Sequence, residues 1–105
     1  KEVTDPRRFG VAVVSNTKTG LLAKNVEEKP VKPKSNLAIV ALYRFKPSIF
    51  TALAEVKHGN DELQLTDAIQ RLIDRGGKVR AVLMNKNDKV IDVGTAESYL
   101  DTFRL

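Results

Sequence analysis

A lysine, two carboxylates and an amide in this sequence could together hold an anionic, hydroxyl-rich ligand such as a sugar phosphate. Lys29 stands between Glu28 and Pro30. An ammonium there reaches a phosphate as a mobile point charge with three donors, while Glu28 can accept hydrogen bonds from hydroxyls. Asn36, in Ser35-Asn-Leu-Ala38, is an amide at the entry to an apolar run, where it must find partners or stay at the mouth. Asp92 lies between Ile91 and Val93, just ahead of Gly94-Thr95, where a strand of an α/β protein ends and ligands gather. Such a carboxylate could ligate Mg²⁺, which binds through one or two carboxylates plus phosphate oxygens.

Each of these has a plainer competitor. Glu-Glu-Lys-Pro by itself reads more readily as a solvated loop of mixed charge. Asn36 alone is equally a turn-forming Asx residue. Asp92 could instead cap the next helix, and a metal site would need a second carboxylate from elsewhere. Asp61, Glu62 and Asp67 cluster around a helix start, where capping and the helix dipole account for Asp67. Glu62 could hydrogen-bond the neighbouring loop and has no catalytic role. His58, beside Gly59, has no partner at ligand spacing and reads as exposed. The sequence contains no Ser/His/Asp set, P-loop or HExxH helix. Residue chemistry alone stops at an α/β segment with an anion site and a metal site.

These residues must be positioned by the surrounding elements. Phe9-Gly-Val-Ala-Val-Val14 is a β-rich run with Gly10 serving close backbone approach. Ser15 to Gly20 is turn chemistry, and Leu21 to Glu27 alternates loosely enough to return as the second strand of a hairpin. Pro30 and Pro33 keep the following loop extended. Leu37 to Tyr43 is nearly unbroken in its apolarity, the pattern of a strand buried on both faces. Pro47 opens a helix over Ser48 to Glu55 with Ile49, Phe50 and Leu53 on one face. Lys57 to Asp61 is loop. Thr66 is the expected cap of a second helix that turns Ala68, Ile69, Leu72 and Ile73 inward and stops at Gly76-Gly77. Val79 to Leu83 and Val90 to Gly94 read as strands around a polar turn. Thr95 caps a closing helix with Tyr99, Leu100 and Phe103 inward. The order β, β, β, α, α, β, β, α implies α/β or α+β. A parallel sheet wants several doubly buried strands and only one is evident, so the rest of that sheet is expected outside these residues.

Length and composition bound the reading further. One hundred and five residues suit one compact domain or part of a larger one. The 42% apolar and 30% charged fractions are those of a globular protein. No apolar run approaches the roughly 18 residues of a membrane span, and Lys1-Glu-Val-Thr-Asp-Pro has no signal core. The absence of an initiator Met points to a chain that begins inside a longer protein. With no cysteine there is no disulfide or thiolate site, and a cytoplasmic location is the default. The net charge of +5 admits anionic partners. Its lysines and arginines are scattered without interleaved aromatics, however, which argues against a nucleic-acid surface.

Five blocks in order and spacing carry a resemblance over nearly the whole chain. They are Arg8-Phe-Gly-Val11, Glu27-Glu-Lys-Pro30, Ser35-Asn-Leu-Ala38 through Tyr43, Asp61-Glu-Leu-Gln-Leu-Thr-Asp-Ala-Ile69, and Asp92-Val-Gly-Thr95. Together the sequence resembles the later part of the sugar-1-phosphate nucleotidyltransferases of the glucose-1-phosphate thymidylyl- or uridylyltransferase type. The resemblance implies a Rossmann-like, glycosyltransferase-A-like mixed α/β sheet, left incomplete because the N-terminal nucleotide-binding half is absent. Residues 1–105 would be its C-terminal, sugar-phosphate-binding portion.

By the same resemblance Glu28 holds sugar hydroxyls and Lys29 the phosphate, as the catalytic cation. Gly10 and Asn36 line the sugar region, and Asp92 is one of two Mg²⁺ ligands. Sugar-1-phosphate and a nucleoside triphosphate would be the partners, without nucleic acid or membrane, and the resemblance leaves room for a homo-oligomer. Ala41 stands where relatives usually have Gly, and Val90 where an aromatic is common. The family's Gly-rich triphosphate loop and first metal aspartate have no counterpart here, so these residues alone are expected not to turn over. The alternative is a non-catalytic regulatory or binding module of the same fold.

Overall fold

The structure, a computed structural model, describes residues 1–56 and 62–104. The His58 and Asp61 readings, and the loop over 57–61, lie outside the described residues. The chain is mixed α/β, built on an antiparallel hairpin of β1 (Gly10–Thr17) and β2 (Gly20–Glu28). Its two-residue turn, Lys18-Thr19, is tighter than the six-residue turn the sequence implied. Gly20 follows it at φ 116°, a conformation that favours glycine, and Thr17 Oγ1 donates to the Gly20 carbonyl at 2.7 Å.

The loose alternation of β2 has a structural cause. Val13 pairs with Asn25 but Val14 with Ala23, which leaves Lys24 as the extra residue of a bulge. The bulge re-phases the strand, so Ala23 and Val26 both point into the core although they are three residues apart. Beyond it, Glu28 shares the inward face with Val26, because side chains alternate with a period of two.

Two helices cover that face. α1 (Ser48–Glu55) follows Pro47, and α2 (Leu65–Asp74) lies across β2. Ile49, Ala52, Val56, Ala68 and Ile69 close over Ala23 and Val26, with Leu53, Leu72, Ile73 and Val79 packed around them. Phe50, expected inward, is exposed instead, and Ala52 takes the buried position. α2 ends as its glycines demand. Gly76, at φ 81°, donates to the Ile73 carbonyl and Gly77 to that of Leu72, the paired bonds of a Schellman motif. A Cβ on Gly77 would sit 2.6 Å from the Leu72 oxygen. Arg71 of α2 and Arg75, the residue that caps its C-terminus, both pair with Glu55 of α1.

The remaining expected strands are shorter or unformed. Residues 36–39 run between β1 and the first residues of the chain. On one side Ala12 N–H donates to Leu37 O (3.0 Å) and Ile39 N–H to Gly10 O (2.7 Å). On the other, Ala38 N–H donates to Lys1 O (2.8 Å) and Val3 N–H to Asn36 O (2.9 Å). Backbone thus lies on both edges of this short stretch, but it is not the strand buried on both faces that the apolar run implied: only Ala38 is buried, Leu37 and Ile39 are half-buried, and the pairing ends at Ile39. Leu42 N–H turns back to Val40 O, and Leu42 is 90% exposed. β3 is only Arg80–Ala81, paired with Leu22 and Leu21. Val90 to Gly94 forms no strand. Among the described residues β3 is an edge strand with β2 on one side only, and no backbone pairs with Val90 to Gly94. α3 (Ala96–Asp101) is capped by Thr95 as expected, through a capping box with Ser98. Tyr99, Leu100 and Phe103 do not turn inward: all three are more than half exposed among the described residues, and Tyr99 meets Phe103 edge to face. Among the described residues no helix is long and apolar enough to cross a membrane.

Candidate functional site

The start of β1, the end of β2 and the first turn of α2 meet at one corner of the core. Gly10 is paired directly with Glu28. The Glu28 side chain is carried on the inward face to α2, where the Thr66 hydroxyl donates to Oε2 at 2.7 Å. Thr66 therefore does not cap its helix. Gln64 occupies the cap position without a side-chain bond, and Thr66 sits two residues inside, 4% exposed. This partnership was not read from the sequence, because Thr66 ahead of Asp67 fits a capping role equally well.

Gly10 has the close neighbours its type implies. A Cβ there would lie 3.1 Å from Glu28 Oε2, 3.2 Å from Ile39 Cδ1 and 3.3 Å from Thr66 Oγ1. A methyl group would press on both atoms of the Glu28–Thr66 hydrogen bond. The hydroxyl holds Oε2, while Oε1 has no hydrogen-bond partner among the described residues.

Lys29 follows at φ 43°, the left-handed region that L side chains avoid at a cost of about 1–2 kcal/mol. Its N–H donates to Phe9 O at 2.9 Å, which fixes the turn, and its side chain is exposed. Among the described residues the Lys29 ammonium has no ion-pair partner. A cation thus stands next to a carboxylate on a backbone held in an unfavourable conformation, a combination found where a ligand contact outweighs local strain. Tyr43 lies close enough to feel the carboxylate. Burial, and then the negative charge of Glu28, push its phenol above the ordinary value of 10.0. Its ring stacks on Phe45 at 5.3 Å.

Asn36 and Asp92 stand apart from this corner. Gly10 bonds to Ile39, so Asn36 lies three residues farther along, about 10 Å by strand rise. Its amide donates to Glu2 Oε1 at 3.0 Å, and it lines an open cleft of about 450 Å³ with Glu2, Leu83 and Met84. Asp92 is exposed, in a segment without regular structure. The competing role as a helix cap falls away, because Thr95 caps α3 with its own hydroxyl. Among the described residues no group of three or more His, Cys, Asp or Glu could hold a metal ion. One exposed carboxylate does not by itself make a Mg²⁺ site.

Comparison with known proteins gives the family of the chain. The family model described as nucleotidyl transferase matches residues 1–105. A glucose-1-phosphate thymidylyltransferase of Streptomyces griseus is 41% identical over 98% of this chain and 28% of its own length. A low-salt glycan biosynthesis nucleotidyltransferase of Haloferax volcanii is 33% identical over 100% of this chain and 28% of its own. A UTP–glucose-1-phosphate uridylyltransferase of Mycoplasma pneumoniae is 42% identical over 70% of this chain and 25% of its own. The chain thus spans little more than a quarter of these relatives. With the match covering every residue, the chain belongs to the nucleotidyl transferase family.

Proposed function

We propose that this chain supplies the sugar-phosphate-binding portion of a sugar-1-phosphate nucleotidyltransferase. Glucose-1-phosphate is the sugar phosphate, and dTTP or UTP the nucleotide, that the names of its relatives favour. The observation that carries the reading is the Glu28–Lys29 turn. It has a hydroxyl-oriented carboxylate and an ammonium with no ion-pair partner among the described residues, set against a glycine whose missing side chain makes room for the Glu28–Thr66 hydrogen bond. In the proposed reaction a phosphate oxygen of the sugar-1-phosphate bonds to the α-phosphorus of the triphosphate. The bond from that phosphorus to its bridging oxygen breaks, and pyrophosphate leaves with the electron pair.

Lys29 would align the attacking phosphate and offset its charge, and Glu28 Oε1 would accept from sugar hydroxyls; catalysis of this kind is positioning and charge neutralisation. Gly10 would border the sugar region by giving the Glu28–Thr66 pair its place, and Asn36 would contact the sugar from the far end of its strand. Asp92 would be one Mg²⁺ ligand of a relative-length protein, with a second carboxylate supplied from elsewhere. A cytoplasmic setting and the absence of nucleic-acid partners belong to the same proposal.

The test is calorimetric titration with α-D-glucose-1-phosphate. Saturable binding that Lys29→Ala weakens about tenfold or more is expected. Binding indifferent to Lys29→Ala would remove the assignment. With Mg²⁺, glucose-1-phosphate and dTTP or UTP, these 105 residues alone should release no pyrophosphate, and release would refute that part of the proposal.

A further inference from the structure

Glu28 is held by more than Thr66. β3 accompanies β2 only as far as Leu22, with Val79 O accepting from Ala23 N–H just beyond. Farther along, the outer edge of β2 faces α2, and the buried Val26 needs an acceptor for its N–H. Gln70 supplies it: its Oε1 accepts from Val26 N–H at 2.7 Å and from Asn25 Nδ2 at 3.3 Å. Its Nε2 donates back to Asp74 at 2.8 Å, which fixes the orientation of the amide.

Thr66 and Gln70 are four residues apart on one helix face, a rise of about 6 Å. Glu28 and Val26 are two residues apart on the strand, about 6.7 Å. The two spacings match, so helix and strand are joined by two parallel polar rungs running in opposite chain directions. A slip of α2 along β2 would break both rungs at once.

We propose that Gln70 is a positioning residue for the candidate site. By holding α2 in register on the edge of β2, it sets the Thr66 hydroxyl on Glu28 Oε2 and so aims the carboxylate at the ligand. The inference rests on the sugar-phosphate reading of Glu28. Removing the Gln70 acceptor leaves a buried N–H unpaired and lets the helix shift. Misplacing a ligand-holding group by a fraction of an ångström costs binding out of proportion to the atoms lost.

The experiment pairs amide hydrogen exchange at Val26 with glucose-1-phosphate titration, in wild type and three variants. In Gln70→Leu the Val26 amide should exchange about tenfold faster and the Kd should rise about tenfold. Gln70→Glu combined with Asp74→Asn keeps an acceptor for Val26 without opposing two carboxylates, and should restore both readings. Leu53→Ala, a core truncation on α1, should lower stability while leaving the Kd within twofold; this separates positioning from general destabilisation. A Gln70→Leu variant with wild-type Kd, a failed rescue, or a Val26 amide unprotected in the wild type would overturn the inference. A wild type with a protected Val26 amide and no glucose-1-phosphate binding would instead overturn the reading of the site on which the inference rests.

Discussion

In residues 10–28 each inward position meets a partner from another element: Ala23 and Val26 meet two helices, and Glu28 meets Thr66. In residues 82–93 a comparably apolar pattern meets almost none. Val82 is 92% exposed and Val93 53%, and no strand forms at Val90 to Gly94 although β-branched residues dominate it. The difference shows that β-propensity is realised only against a neighbouring backbone and a packed face. The first region has both. It is also where the candidate ligand residues acquire fixed geometry, while Asp92, in the second, does not.

The largest expected contrast is in the core. Ile69→Ala, which opens space between α2 and β2, should cost about 2–5 kcal/mol in urea unfolding. Ile91→Ala should change stability by less than about 0.5 kcal/mol. A comparable loss at Ile91 would mean that the second region is packed after all.

Next come the two glycines of the proposed ligand turns. Gly10→Ala should cost about 1–3 kcal/mol, because its methyl group has three neighbours within 3.3 Å. Gly94→Ala, whose nearest neighbour would be an Asp92 oxygen at 3.7 Å, should be close to neutral. Equal effects would erase the contrast.

Much of the first region, and of the two helices that cover it, is legible in the sequence. The hairpin, both helices, the Gly76-Gly77 stop and the tight approach at Gly10 follow from local chemistry that the fold leaves intact. What escaped depended on partners far along the chain. Thr66 looks like a cap in isolation and becomes a carboxylate ligand only because α2 crosses the end of β2, some 38 residues away in sequence. Gln70 gave no signal as a polar residue between Ile69 and Arg71. The apolar run Leu37 to Tyr43 implies one strand buried on both faces, yet apolarity does not say where the flanking backbones stop. Tyr99, Leu100 and Phe103 keep helical spacing and cap chemistry without a surface to pack on.

Smaller effects sharpen the site. Lys29→Gly should raise stability by about 0.5–1 kcal/mol, since glycine tolerates φ 43°, while weakening sugar-phosphate binding. Loss of both would indicate that Lys29 serves the fold. Tyr43 offers a pH reading. Its folded-state pKa is raised, first by burial and then by Glu28, so the unfolded chain ionises first. Stability should therefore be unaffected below pH 10 and should fall as pH rises from there through the folded value. Glu28→Gln should move the phenolate absorbance transition of Tyr43 back toward lower pH, and an unmoved transition would separate Tyr43 from the site.

The central claim is that the corner of Gly10, Glu28, Lys29 and Thr66 holds the sugar phosphate. Its most direct test is titration of the isotopically labelled chain with α-D-glucose-1-phosphate, followed by backbone amide shifts. The account predicts saturable shifts centred on these four residues, and none beyond background across residues 96–104. Shifts concentrated elsewhere, or none that saturate, would contradict it.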